Sequence, residues 1–309
     1  MQTVAECYKK VSKDCFKFIR SQEIKKDKFI NKAKMVKYFL IPICFWIAKK
    51  AKNRKPFIVG LSGGQGTGKT TISSIMSIIL KKYFKLNIFK ISIDDFYKTR
   101  KERFLLSKKI HNLLMTRGVP GTHDTNIILD FLNKVKHKNF KPLKLPKFNK
   151  AADDRFKKEL WYSINKRPDV IIFEGWCIGA RPQKNYQLKK HINSVEKLND
   201  QNLIWRKYVN YQLKKNYRKL FNQLNCLLYL KAKNFNLLQK WRLKQERKLL
   251  TFSREYKNLK IMNKKEVIHF MKTYERITQN MFKDAPKYAS IILNLNSNHQ
   301  IKSVFYKKK

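Results

Sequence analysis

The chain has 309 residues, and 43% of them are hydrophobic, which is enough to bury the core of one elaborated domain or two small ones. Its 71 Lys and Arg residues against 21 Asp and Glu residues give a formal net charge of +50, and such a charge attracts polyanions. Because lysines occur throughout the chain, from Lys9 to Lys309, we interpret the charge as a solvated surface. The composition therefore argues against a dedicated nucleic-acid interface, which would concentrate the charge on one patch.

Residues 1–55 have a helical pattern and precede the first predicted strand, so we expect an N-terminal helical extension. Their most apolar run, residues 38–48 (YFLIPICFWIA), is too short to span a bilayer and is interrupted by Pro42. We predict a helix packed on the core, with binding to a membrane surface as the alternative. The five cysteines show neither close pairing nor metal-ligand spacing, which is typical of a reducing compartment and favours the cytoplasm.

Residues 63–70 (GGQGTGKT) match the phosphate-binding loop pattern of Gly, any four residues, Gly, Lys and Ser or Thr. The glycines let the backbone fold tightly around an anion with its N–H groups toward a phosphate. An apolar run precedes the loop at residues 57–61, and apolar residues at helical spacing follow it from Ile72 to Tyr83. We therefore predict a nucleotide site between a strand and a helix N-terminus. Its residues are Gly63, Gly64, Gln65, Gly66, Thr67, Gly68, Lys69, Thr70 and Thr71.

Two further predicted strands end in carboxylates. Residues 88–93 (IFKISI) precede Asp94 and Asp95, and residues 170–173 (VIIF) precede Glu174. In an open parallel sheet, the carboxyl ends of the strands face the bound nucleotide. We expect Lys69 to reach the β and γ phosphates, and Thr70 and Glu174 to bind Mg²⁺. Because side chains alternate along an extended chain, we expect only one of the two aspartates, Asp94, to face the nucleotide.

The sheet is expected to continue at residues 226–230 (CLLYL) and 291–295 (IILNL), with helices between these strands. The pattern predicts an α/β P-loop NTPase fold, a doubly wound and mostly parallel sheet with helical insertions and a lid. The predicted lid is a basic helix at residues 235–250, around Trp241. Closing over the nucleotide would let Arg242 neutralise charge on the transferring phosphoryl group, and a solvated basic face is the alternative.

The sequence lacks the motifs of a GTPase switch. No Asp has a Gly three residues later, and residues 263–266 (NKKE) match a guanine-reading motif only loosely and lie in a helical pattern. A carboxylate opposite the phosphate loop instead favours a kinase with an alcohol acceptor. Asp94 would align the hydroxyl and accept its proton.

Residues 92–97 (SIDDFY) resemble the strand-two motif of the uridine kinase, phosphoribulokinase and pantothenate kinase superfamily, in which the acid two places before the aromatic residue is the base. That acid is Asp94 here. Further segments resemble one branch, the D-glycerate 3-kinases. They are Arg117 with residues 121–124 (GTHD), residues 145–148 (LPKF), 154–155 (DR), 173–176 (FEGW) and 241–243 (WRL) with Glu246. The resemblance covers residues 56–295, and it departs from the family at Asn149, where an aspartate is expected, and in a lid with few arginines.

The resemblance implies a kinase domain over residues 56–309, with a substrate-binding insertion at about 98–165 and a lid at about 233–255. It implies that ATP and Mg²⁺ are the cofactors, that Lys69 and Asp94 are catalytic, and that D-glycerate is converted to 3-phospho-D-glycerate. Glycerate needs a cation for its carboxylate and acceptors for its hydroxyls. Asp94 and Asp124 are available as acceptors, and the available cations are Arg117, His123, Lys147, Lys150 and Arg155.

Two other functions stay open at this point. A kinase of the same superfamily could act on a nucleoside or a pantothenate-like alcohol. The predicted insertion offers Phe148 and Phe156 but no aromatic cluster for a base, which favours the small acid. A basic nucleic-acid-associated NTPase is the alternative of another class, and the net charge is its only support.

Overall fold

The computed structural model describes residues 3–24, 27–253 and 262–307, which form an α/β fold with helices on both faces of a central sheet. The helices are α1 Val4–Ser21, α2 Lys32–Lys34, α3 Ile41–Ala51, α4 Lys69–Lys82, α5 Arg100–Lys109, α6 Thr125–Lys134, α7 Asn185–Lys189, α8 Ser194–Asn199, α9 Ile204–Gln212, α10 Arg218–Phe221, α11 Phe235–Ser253 and α12 Lys264–Tyr288. The strands are β1 Phe57–Gly63, β2 Ile88–Ser92, β3 Leu143–Leu145, β4 Phe148–Asn149, β5 Asp154–Arg155, β6 Tyr162–Ile164, β7 Val170–Gly175, β8 Cys226–Lys231, β9 Ile291–Leu295 and β10 Ile301–Tyr306.

In the described part of the chain, the main sheet has the strand order β10–β9–β8–β1–β7–β2. Neighbouring strands are parallel except for β10, which pairs antiparallel to β9. The predicted doubly wound, mostly parallel P-loop fold is therefore confirmed, and each of the five predicted strands is present. The edge strand β10 was not predicted, and most of its side chains are exposed.

Strand register brings the motifs to one edge of the sheet. Ser62 of β1 is opposite Gly175 of β7, and Ser92 of β2 is opposite Glu174 of β7. The three strands therefore end at the same level. Because parallel strands share a direction, the phosphate loop and both acidic strand ends lie on the same rim.

The central strands are buried on both faces, which is why they read as continuous apolar runs. Phe57, Val59 and Leu61 of β1 pack in the cluster that includes α1, α3 and α4. Ile58, between them, packs in the opposite cluster with α6, α9 and α12. The period of two assigns successive side chains to the two layers of helices.

The N-terminal helices pack against α4, the helix that follows the phosphate loop. The buried residues of α1 are Cys7, Val11, Cys15 and Ile19, spaced four apart on one helix face. The apolar run at residues 38–48 forms a helix packed on the core, as predicted, and Ile43, Cys44 and Ile47 are fully buried. Pro42 does not end the helix, because a π-helical turn at Met35–Leu40 leads directly into α3.

Residues 98–165 carry α5, α6 and two small hairpins, β3–β6 and β4–β5. The fully buried Arg103 ties this region together. Its guanidinium donates to the carbonyl oxygens of Lys98 (3.1 Å), Met115 (2.7 Å) and Asp153 (2.6 Å), and it pairs with the Asp153 carboxylate at 2.9 Å. One side chain thus sets the path of three loop segments at the rim of the sheet.

Across the described ranges, no helix is both long enough and apolar enough to cross a membrane. All five cysteines are buried and unpaired. Burial raises the pKa of the Cys7 thiol to about 11 and of Cys15 to about 12. The thiols are therefore protonated at neutral pH and pack as small apolar groups.

Candidate functional site

The phosphate loop runs from the end of β1 into the N-terminus of α4. Gly66 (φ 78°) and Gly68 (φ 84°) are in the left-handed region, where a side chain would be strained. The Thr67 hydroxyl donates to the Gly64 carbonyl at 2.8 Å, and the Lys69 ammonium donates to the carbonyls of Gly63 (2.8 Å) and Gly64 (3.0 Å). The loop is therefore closed by its own side chains in front of the helix N-terminus.

Glu174, at the end of β7, faces α4. Its carboxylate is 8% exposed and accepts hydrogen bonds from the Thr70 hydroxyl (2.9 Å) and the Ser73 hydroxyl (3.0 Å). No group of three or more His, Cys, Asp or Glu side chains capable of holding a metal occurs among residues 3–24, 27–253 and 262–307. A hydroxyl next to one carboxylate does fit Mg²⁺, which takes few protein ligands and keeps several waters.

Asp94 lies beyond Glu174 along the rim of the sheet, in a 3-10 turn at Ile93–Phe96 that follows β2. Its carboxylate accepts a hydrogen bond from the Tyr97 hydroxyl at 3.0 Å and pairs with the Lys150 ammonium at 3.1 Å. Burial by itself would raise the pKa of Asp94, but Lys150 and the two hydrogen bonds bring it down to about 2. The group is therefore ionised at neutral pH.

Asp95 lines the same cleft as Asp94, contrary to the expectation that it points away. The reason is the backbone, which is a 3-10 turn at this point and does not alternate side chains as an extended chain would. Burial raises the pKa of Asp95 to about 6, with a further contribution from the Asp94 charge. Its carboxylate accepts hydrogen bonds from the backbone N–H of Phe148 and from the hydroxyl of Tyr162.

The phosphate loop, Asp94 and Glu174 line one continuous cavity of about 1680 Å³. Burial lowers the pKa of Lys69, and the charges of Glu174 and Asp94 oppose that shift, so the ammonium and the two carboxylates interact across the cavity. The cavity exceeds the range of about 300–1,000 Å³ that is usual for one small ligand. It can therefore hold two substrates side by side.

The first half of α11 packs directly on the phosphate loop. A Cβ atom at Gly66 would be 3.0 Å from the backbone nitrogen of Arg242, so only glycine permits this approach. Trp241 is 6% exposed and stacks on His299 with ring centroids 4.4 Å apart. Arg242 lines the cavity and pairs with Glu246. Movement of the predicted lid stays a prediction, and its residues 254–255 lie outside the described ranges.

Of the seven residues that the sequence offers to the acceptor, three line the cavity, namely Asp94, Lys150 and Arg117. The Arg117 guanidinium pairs with Asp153, the residue fixed by Arg103, and lies 5.5 Å from the Phe148 ring centroid. The other four, His123, Asp124, Lys147 and Arg155, are outside the residues that line the cavity.

His123 is not suited to the cationic role that the sequence suggested. Its ring is 2% exposed, stacks on Tyr97 with centroids 4.4 Å apart, and places Nδ1 2.6 Å from the Tyr217 hydroxyl. Burial lowers the pKa of His123 to about 3, so the ring is neutral at physiological pH. We correct this prediction, because His123 supports Tyr97 and cannot pair with a carboxylate.

Asp124 and Arg155 also have structural partners in place of a ligand. Asp124 caps α6 by accepting from the backbone N–H of Ile127 at 3.3 Å, and it pairs with Arg155 at 3.3 Å. Arg155 donates to the Tyr97 carbonyl at 2.8 Å. Lys147 lies over the rings of Phe156 (5.3 Å) and Tyr162 (5.7 Å). These residues therefore hold the loops behind Asp94, and their assignment to the acceptor stays a prediction.

Aromatic residues to which the sequence reasoning gave no role also line the cavity, and they include Tyr97, Tyr162, Trp176, Phe270 and Tyr274. Trp176 donates to the Gly118 carbonyl at 3.0 Å and meets Tyr274 edge to face at 4.7 Å. Tyr97 and Trp176 belong to the segments SIDDFY and FEGW that the sequence singled out, whereas Tyr162 comes from β6 and Phe270 and Tyr274 come from α12. The prediction concerned the insertion alone, which contributes Tyr162 to this group of rings.

Comparison with known proteins identifies relatives but no matching family model. The chain is 33% identical over 228 residues to the uncharacterized kinase mug58 of Schizosaccharomyces pombe, covering 71% of this chain and 79% of that protein. It is 32% identical over 171 residues to the chloroplastic D-glycerate 3-kinase of Arabidopsis thaliana, covering 49% and 37%. A pantothenate kinase of Levilactobacillus brevis is 31% identical over 41% of this chain and 39% of its own.

The fold has solved counterparts. A D-glycerate 3-kinase from Cryptococcus neoformans var. grubii superposes with a TM-score of 0.74 at 22% identity, covering 88% of this chain and 99% of that chain. At that identity the likeness shows the fold alone. The mug58 match spans more than two thirds of both chains, so the chain is a phosphotransferase that belongs to the same kinase family as mug58, and a shorter match relates it to a D-glycerate 3-kinase.

Proposed function

We propose that the protein transfers the γ-phosphoryl group of ATP to the 3-hydroxyl group of D-glycerate, giving 3-phospho-D-glycerate and ADP. The observation that carries the proposal is that Asp94, held by Lys150 and Tyr97, lines the same cavity as the phosphate loop. A hydroxyl bound at Asp94 would thus be directed toward a phosphate bound at Lys69 and Thr70.

The acceptor end of the cavity suits a small anion that carries hydroxyl groups. Lys150 and Arg117 provide two cations for a carboxylate, and each is now held by an aspartate, Asp94 or Asp153. Charge-assisted contacts of this kind are strong and directional. We infer that the carboxylate of glycerate is bound between Lys150 and Arg117, with a hydroxyl on Asp94.

The transfer needs one proton acceptor and several cations. Asp94 accepts the hydroxyl proton while the oxygen bonds to the γ phosphorus, and the bond to the bridging oxygen breaks with its electron pair remaining on ADP. Lys69 and Arg242 stabilise the charge that spreads over the phosphoryl oxygens. Thr70 and Glu174 would hold Mg²⁺, whose chemistry is to neutralise charge on the β and γ phosphates.

A second acceptor is favoured by two observations. Aromatic side chains line the cavity, and one group of relatives is named pantothenate kinase. A pantothenate-like alcohol also carries a carboxylate and a hydroxyl, so Lys150 and Arg117 could pair with it as well. Turnover measured with each acid as the acceptor distinguishes D-glycerate from a pantothenate-like alcohol.

The deciding experiment measures ADP release with a panel of acceptors, namely D-glycerate, L-glycerate, pantothenate, uridine and glycerol, each with ATP and GTP. We expect turnover with D-glycerate and ATP, and a loss of most of the activity with glycerol, which lacks the carboxylate. Turnover with pantothenate or uridine and none with D-glycerate would reject the substrate while retaining the kinase. ATP hydrolysis that depends on RNA and on no small alcohol would reject both acceptors.

Lys150→Met should weaken acceptor binding and shift the pH profile. We expect the KM for D-glycerate to rise about tenfold, because a charged contact to the carboxylate is lost. Asp94 works in its ionised form, so activity falls as the pH drops through its pKa. Without Lys150, burial dominates and raises the pKa of Asp94 from about 2 and of Asp95 from about 6. The acid limb of kcat/KM should therefore move to higher pH.

The matched control for this variant is Lys144→Met, an exposed lysine of β3. It should leave both the KM and the pH profile unchanged. If Lys150→Met and Lys144→Met gave the same profile as the unaltered protein, Lys150 would have no role in the acceptor site.

A further inference from the structure

Part of the N-terminal extension borders the cavity that holds the phosphate loop. Residues 27–31, 34 and 35 line this cavity, together with residues of α11 and of the turn that joins β9 to β10. We call residues 27–35 the N-terminal wall. The predicted kinase domain alone, residues 56–309, would leave this side of the cavity without that border.

The strand order shows which end of the cavity the N-terminal wall closes. Asp94 follows β2, at one edge of the sheet, whereas α11 and the turn containing His299 follow β8 and β9, on the other side of β1. The phosphate loop follows β1, between them. A nucleotide whose terminal phosphate points toward Asp94 must therefore extend its nucleoside toward α11, His299 and the N-terminal wall.

The N-terminal wall is braced internally. The backbone N–H of Asp27 donates to the Ile24 carbonyl at 2.9 Å, and the backbone N–H of Phe29 donates to the Glu23 carboxylate at 2.9 Å. Glu23 also pairs with Lys32 at 3.4 Å. These contacts lie within residues 23–32, so they shape the segment but do not attach it to the kinase domain.

The N-terminal wall contacts the kinase domain through Phe29 and Met35, which pack against the hydrophobic core, and through the Asp27 carboxylate. Asp27 pairs through one oxygen with Lys244 and through the other with Lys248, both on α11. The Asp27 side chain is 16% exposed, and burial, which would raise its pKa, is outweighed by the two lysines, which lower it. Lys248 also lies 5.8 Å from the Phe29 ring centroid. Asp27, Phe29, Lys244 and Lys248 all line the cavity. The pairing therefore joins the N-terminal wall to α11 at the border of the cavity.

We propose that the N-terminal wall forms the outer side of the nucleotide site at its nucleoside end, and that Asp27 is a positioning residue that holds it closed through Lys244 and Lys248. This inference rests on ATP binding at the phosphate loop and not on the identity of the acceptor. A nucleotide enclosed by the wall leaves slowly, because the wall must separate from α11 first. Mutations that weaken a binding site generally affect the dissociation rate more than the association rate.

The test uses Asp27→Asn, which keeps the size of the side chain and removes its charge. Dissociation of a fluorescent ADP analogue is followed by stopped flow without any acceptor, and steady-state kinetics are measured in parallel. We expect dissociation to become about three- to tenfold faster and the KM for ATP to rise by a similar factor. The kcat and the KM for the acceptor should stay unchanged, and Asp27→Glu should restore slow dissociation.

Asp14→Asn is the matched control. Asp14 lies on α1 of the same extension and pairs with Lys82 at 3.2 Å, at the end of α4 far from the phosphate loop. It should leave nucleotide dissociation unchanged. Equal dissociation rates for Asp27→Asn, Asp14→Asn and the unaltered protein would overturn the proposal. So would an Asp27→Asn variant that lowers kcat and raises the acceptor KM as much as the KM for ATP.

The proposed substrate and the proposed role of the N-terminal wall can be rejected independently of each other. If D-glycerate is not phosphorylated but Asp27→Asn releases nucleotide faster, the proposal for the N-terminal wall is supported and the proposed substrate is wrong. If D-glycerate is phosphorylated and the Asp27 variants release nucleotide at the original rate, the substrate is supported and the wall is rejected.

Discussion

Asp94→Asn should reduce kcat by about 10²–10⁴-fold, the usual contribution of a positioned general base. Asparagine keeps the shape of the side chain, but it cannot accept the hydroxyl proton and carries no charge for Lys150 to pair with. ATP binding should persist, because within the described residues Asp94 forms hydrogen bonds with Tyr97, Lys150 and Ser92, and none of these bonds involves the phosphate loop. The measurement combines kcat with ATP affinity determined by calorimetry.

The control is Asp130→Asn, an exposed aspartate of α6 that pairs with Lys134. It should retain full activity, which would separate the effect at Asp94 from a general effect of losing negative charge in a strongly basic chain. A loss of ATP affinity as large as the loss of kcat in Asp94→Asn would show that Asp94 serves the nucleotide and not the acceptor.

Lys69→Met should lower kcat by about 10²–10³-fold, because a preorganised donor to the transferring phosphoryl group is lost. Methionine fills a similar volume, so the buried space around the side chain remains packed. The Lys69 ammonium now donates to the Gly63 and Gly64 carbonyls, and the loop loses these two bonds as well. Single-turnover kinetics with saturating ATP would isolate the chemical step from binding.

Lys81→Met, in the last turn of the same helix, is the companion variant. It is exposed and should be indistinguishable from the unaltered protein in activity and in melting temperature. A Lys69→Met protein with normal single-turnover rates but weak ATP binding would assign Lys69 to ground-state binding alone.

The parts of the site that follow a buried strand could be predicted from the sequence. The apolar runs of β1, β2 and β7 are local signals, and each is followed within two residues by a functional residue, namely Gly63, Asp94 or Glu174. Parallel pairing then requires these ends to meet at one rim. At Asp94 and Asp95 the prediction of an extended backbone was wrong, because residues Ile93–Phe96 form a 3-10 turn.

The acceptor residues could not be assigned in the same way. Asp124 and Arg155 have the residue types that a hydroxy acid needs, but they pair with each other and support Tyr97. The paths of the loops depend on Arg103, whose four contacts join Lys98, Met115 and Asp153. Contacts between residues this far apart in the chain leave no periodic pattern in the sequence. The sequence therefore could not show which of the candidate acceptor-binding residues face the cavity.

By itself, the sequence determined the class of fold, the phosphate loop and the two acidic strand ends, because strand and loop patterns are encoded by neighbouring residues. Only the tertiary structure decided that His123 is buried and neutral, that aromatic side chains from β6, α12 and the segments after β2 and β7 line one cavity, and that Asp27 joins the N-terminal wall to α11. Whether a polar side chain faces a ligand or a protein partner depends on which distant segments pack beside it, and packing is a property of the whole folded chain.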